Sequence, residues 1–79
     1  MKRVLLFTME GNLDGDAALA FLQARGVAVD LFDVGKDPAA SLELFRRLGR
    51  LGVPTLLIED RAFVGFEAHR QEIDALVRE

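Results

Sequence analysis

Seventy-nine residues with 51% hydrophobic content and a formal net charge of -3 are enough for one compact domain, spanning residues 1–79, and no more. The composition excludes a disordered chain, and its acidic balance argues against a nucleic-acid partner. The chain has no cysteine and a single histidine, which removes disulfides, thiolate nucleophiles, sulfur-ligated metals and multi-histidine sites, so no cofactor or metal is expected.

No apolar run approaches the ~20 residues that span a bilayer, so no membrane association is expected. At the N-terminus the apolar run stops at Thr8, and no small-residue cleavage site follows. That is short of the roughly 7–15 apolar residues of a secretory signal, and points to a cytoplasmic protein.

Val4 to Thr8 reads as a buried strand. Glu10 to Asp16 is a polar turn. Ala17 to Arg25 has helical spacing, with Leu13, Ala17, Phe21 and Ala24 on one side and Gly26 as its cap. Val27 to Phe32 alternates as a strand. Asp37 and Pro38 open a second helix, whose inner face is read as Leu42, Phe45 and Leu48, flanked by Leu44, with Gly49 or Gly52 ending it. Val53-Pro54-Thr55 leads into a strand, Leu56 to Ile58. A tight turn at Glu59-Asp60-Arg61 joins it to a further strand, Ala62 to Phe66. A last helix runs from Glu67 to Val77. The β-α-β-α-β-β-α order predicts a right-handed parallel βαβ unit and an antiparallel hairpin. The expected class is α/β, a four-stranded mixed sheet with three flanking helices.

Four segments carry a family resemblance: Val4-Leu5-Leu6-Phe7-Thr8, Phe32-Asp33-Val34 with Asp37-Pro38, Gly52-Val53-Pro54-Thr55, and Val64-Gly65-Phe66. With them the chain resembles the glutaredoxins, especially the small redoxins that serve ribonucleotide reductase. The resemblance implies a thioredoxin-like fold of glutaredoxin type. It also implies a cis peptide before Pro54, with Val53 offering its backbone to an extended peptide or to glutathione. Read without the resemblance, Pro54 opens an edge strand in the trans form.

The departure lies where the family carries Cys-x-x-Cys. Here the stretch is Asn12-Leu13-Asp14-Gly15, and Glu10 replaces the usual proline. Asn12 can cap a helix, but nothing here can replace a thiolate held at a helix N-terminus. The resulting expectation is a redox-inactive binding or interaction module, leaning away from an enzyme, with no catalytic residue. It keeps a docking face of Asn12, Val53, Pro54, Thr55, Gly65 and Phe66, with Phe66 exposed, and takes a protein or peptide partner. The alternatives are a thiol-disulfide oxidoreductase by family label, and a structural subunit or homodimer that uses the same face.

Other residues have two readings each. Glu10, Asp14, Asp16 and Glu67 are either a cation site or capping groups on a solvated acidic rim. An acidic rim disfavours glutathione, and Glu67 lies where some family members bind the tripeptide's α-carboxylate. Both features count against glutathione as a ligand. Arg46 and Arg50 either clamp an anion or line an exposed helix face. His69 is either a general base or a tucked structural residue, and no nucleophile adjoins it. Phe7, Phe21, Phe32, Phe45 and Phe63 are assigned to the core.

Overall fold

The first strand, β1 (Arg3–Thr8), sends Val4 and Leu6 to one face and Leu5 and Phe7 to the other. Both sets are apolar because β1 lies inside the sheet, covered on both sides. A computed structural model describes residues 3–78 and places four strands in the order β2-β1-β3-β4. Strand β2 (Ala28–Asp33) runs parallel to β1, with Leu6 opposite Leu31. Strand β3 (Thr55–Ile58) is antiparallel to β1, and β4 (Arg61–Val64) is antiparallel to β3. This is the mixed sheet predicted from the element order. At its edge Arg3 Nε donates to Asp30 Oδ2 at 2.6 Å, and the guanidinium holds that exposed carboxyl below the usual carboxylate range.

The first helix, α1 (Leu13–Ala24), starts four residues earlier than expected. Asn12 is its N-cap, with extended backbone and Oδ1 accepting from the Gly15 N–H at 2.7 Å. Asp14 and Asp16 put negative charge in the first turn, where the helix dipole favours it. Ala18, Phe21 and Leu22 of α1 join Val4, Leu6, Leu56 and Ile58 in the larger core. The last helix, α3 (Arg70–Arg78), adds Ile73 to that layer. A single 3-10 turn, Glu67–His69, precedes it where a continuous helix was expected.

Helix α2 (Pro38–Leu48) covers the opposite face alone. Asp37 caps it through the Ala39 N–H at 3.0 Å, and Gly49 ends it at φ 77°, a left-handed conformation that favours glycine. Its inner face differs from the expected one. Ala40 and Leu44 are buried and Leu48 packs beside Phe7 and Leu57, whereas Leu42 is 59% exposed and Phe45 51%. Apolar residues lie on both sides of this helix. Periodicity therefore fits two stripes roughly opposite each other at about 100° per residue, and contact with the sheet selects the one through Leu44.

Two aromatic assignments change with it. Phe45 is outside the core. Phe66, expected at the surface, is 1% exposed, with its ring 5.1 Å from that of Phe21. The strand stops at Val64, and Gly65 at φ 95° turns the chain so that Phe66 swings inward. Phe7, Phe21 and Phe63 are buried, and Phe32 stacks half-buried on Phe7. Among the described residues no helix is long and apolar enough to cross a membrane. These placements separate the two phenylalanines in a thermal or urea melt. Phe66→Ala is expected to lose about 3–5 kcal/mol of stability, and Phe45→Ala to stay within about 0.5 kcal/mol of wild type.

Candidate functional site

Three segments converge at the C-terminal end of β1: the start of α1, the loop before β3, and the chain between β4 and α3. The turn into α1 is closed by the Asn12 N–H donating to Met9 O at 3.1 Å. Gly65 N–H donates to Pro54 O at 2.8 Å and ties the end of β4 to the loop. The Val53–Pro54 peptide is cis. Thr55 is fully buried and its hydroxyl donates to Gly52 O at 2.6 Å, which holds the loop over the start of β3.

Asp14 completes the junction. Its Oδ2 accepts from the Phe66 N–H at 2.8 Å and its Oδ1 from the Glu67 N–H at 3.1 Å. One carboxylate thus binds two consecutive backbone donors more than fifty residues away in sequence. The sequence reading places Asp14 either in a cation site or among capping groups on a solvated acidic rim. Nothing local in the sequence signals a partner that distant.

The six candidate residues therefore lie in one neighbourhood but present different things. Asn12, Val53 and Gly65 are half-buried. Pro54, Thr55 and Phe66 are buried, so they shape the site from beneath. Phe66 offers only its backbone, and that is already bound to Asp14. Beside Val53 runs a cleft of about 300 Å³, walled by Met9, Val34, Leu44, Leu51 and Gly52. Neither polar atom of the Val53 backbone has a hydrogen-bond partner among the described residues.

Three acids of the rim are engaged by other groups. Glu10 meets Lys36 at 2.6 Å, Glu67 meets Arg70 at 3.0 Å, and Asp14 is held by backbone. Among the described residues no three acidic or histidine side chains converge as a metal site would require. Arg46 and Arg47 both reach Glu43, at 3.3 and 2.6 Å, along an exposed helix face. His69 Nδ1 lies 3.3 Å from Glu72, and its ring centre is 5.5 Å from that of Phe63.

The glutaredoxin family model matches residues 4–64. The chain belongs to the glutaredoxin family. Among solved structures, a single-site mutant of the thioredoxin-like protein BC3987 is 26% identical, with a TM-score of 0.84 over 99% of this chain and 97% of that one. The glutaredoxin of Archaeoglobus fulgidus is 19% identical, with a TM-score of 0.81 over 100% and 89%. The glutaredoxin-like NrdH-redoxin of Escherichia coli is 23% identical, with a TM-score of 0.68 over 81% and 83%. No curated relative matches the chain. The fold is thioredoxin-like, of glutaredoxin type.

The two ends of the Asn12-Leu13-Asp14-Gly15 stretch have distinct local structure. Asn12 is a cap. Gly15 is buried against Thr8: a Cβ built on it would collide with the Thr8 hydroxyl, lie 2.9 Å from Thr8 Cβ, and lie 3.2 Å from Asn12 Oδ1. The Thr8 hydroxyl is itself buried with no hydrogen-bond partner among the described residues. Position 15 therefore takes no side chain unless Thr8, β1 or α1 shifts.

Both features can be tested by unfolding. Asp14→Ala is expected to lower stability by about 1–3 kcal/mol, because two backbone donors lose a charged acceptor. Asp16→Ala, at an exposed position of the same turn, should change it by less than about 0.5 kcal/mol. Gly15→Ala should destabilise by about 1–3 kcal/mol through overpacking, although alanine favours a helix by roughly 1 kcal/mol. Part of that loss should be recovered in the Thr8→Ala/Gly15→Ala double variant.

Proposed function

We propose that this glutaredoxin-fold protein is a redox-inactive binding module that docks an extended peptide along Val53-Pro54-Thr55. The observation that carries the reading is the Val53 backbone, whose two polar atoms have no partner among the described residues, at the wall of an apolar cleft of about 300 Å³. An extended segment gains main-chain hydrogen bonds from such an edge and specificity from an adjacent pocket. Met9 and Leu51, 41% and 59% exposed, would close over an apolar side chain of the guest. Asn12 keeps the helix start in place without chemistry of its own.

Glutathione fits this site poorly. The resemblance puts its α-carboxylate near Glu67. The N–H groups of Phe66 and Glu67 already bind a carboxylate belonging to the chain, that of Asp14. A guest carboxylate would have to displace a tethered competitor whose effective concentration is high.

The family label offers the other reading, thiol-disulfide exchange. That chemistry needs a thiolate that attacks one disulfide sulfur and expels the other. The chain has no cysteine to supply one. Turnover of a small disulfide substrate should therefore equal the protein-free control even at high protein concentration. Turnover above that control would reinstate the enzyme.

For the binding reading, random peptides displayed as a library are selected on the immobilised protein, and a selected peptide is titrated into 15N-labelled protein. Shift changes are expected at Met9, Val34, Val53 and Thr55, with affinity falling about tenfold or more in Leu51→Asp. No enrichment, or shifts centred elsewhere, would overturn it. Glutathione added at millimolar concentration should leave the spectrum unchanged.

A further inference from the structure

Helix α2 is apolar on the side facing away from the sheet as well as on the side facing it. Pro38, Leu42, Phe45 and Gly49 recur at intervals of four, three and four residues, the spacing by which two helices mesh. All four are exposed, Leu42 and Phe45 by more than half. The core uses the other stripe, through Ala40 and Leu44, which leaves Leu42 and Phe45 more than half exposed in a single chain.

We propose that this stripe is a self-association surface, on which a second copy of the chain packs its own α2 antiparallel. The argument is symmetry and charge. Along the stripe the order is small, large, large, small. A twofold axis between residues 42 and 45 therefore sets Leu42 of one copy against Phe45 of the other, and Pro38 against Gly49, where small residues let the helices approach. Such a contact is isologous, so each pairing occurs twice. The same operation brings Asp37, at the start of the helix, opposite Arg50, just past its end. Arg50 has no ion-pair partner among the described residues, and Asp37 commits Oδ1 to its cap. The opposed helix dipoles also favour this direction. A parallel copy would set like charges side by side at each end. The complementarity therefore favours a second copy, antiparallel, over a partner of unrelated sequence.

The helix has 11 residues, about 16 Å of contact. Two large side chains per copy hide less than the roughly 800 Å² per partner of a stable complex. The dimer is therefore weak and forms with rising concentration. This surface differs from the cleft beside Val53, and neither proposal depends on the other.

Sedimentation from about 10 μM to about 1 mM tests it. The wild-type mass is expected to climb from 8.7 kDa toward twice that value. The Leu42→Asp/Phe45→Asp variant should stay monomeric throughout. Its far-ultraviolet dichroism and melting at low concentration should match wild type, because both residues are exposed. Arg50→Glu should weaken association about threefold to tenfold, and added salt should weaken the wild type. A wild-type monomer at about 1 mM would overturn the proposal. So would dimerisation that survives both aspartates, which would put the contact on another face, the former active-site face included. Association unchanged by Arg50→Glu would overturn the antiparallel arrangement.

Discussion

The bidentate grip of Asp14 on the Phe66 and Glu67 amides is the contact on which the functional end of the molecule depends. It joins the first turn of α1 to the chain entering α3. Those segments are far apart in sequence and share no strand. A charged acceptor is worth more to a backbone donor than a neutral one. Here the pairing also satisfies two N–H groups at the start of a turn that has no capping side chain of its own. With that bond in place, Phe66 is held in the core beside Phe21. Gly65 is then set to donate to Pro54, and the loop carrying Val53 acquires a fixed position.

The geometry has a chemical meaning. A helix N-terminus favours negative charge. In this chain that end is served by an asparagine cap and by aspartates, and the sequence has no cysteine to place there. The positive end of the helix dipole is thus met by structural groups.

Much of the fold could be read in the sequence because its signals are local. Asp37-Pro38 marked the start of α2, Gly26 and Gly49 marked ends, and the apolar run at Val4 marked the central strand. The element order then left few sheets to choose from. What the sequence did not disclose depends on tertiary contact. The orientation of α2 is decided by Phe7 and Leu57 beneath it, since its own pattern fits two faces. The burial of Phe66 follows from a turn at Gly65 that brings its ring to Phe21. Asp14 looks like any acid in a first turn until its partner is seen. At the candidate site, sequence indicated the neighbourhood of Asn12, Val53 and Pro54. It did not reveal that Glu10, Asp14 and Glu67 are already engaged, or that Thr55 and Phe66 lie beneath the surface.

The close packing of Gly15 on Thr8 bears on which substitutions the start of α1 accepts. Any side chain larger than hydrogen at residue 15 meets Thr8 first, so a change at one of these positions sets what the other tolerates. Variation at this end of the molecule is therefore expected in pairs of residues rather than singly.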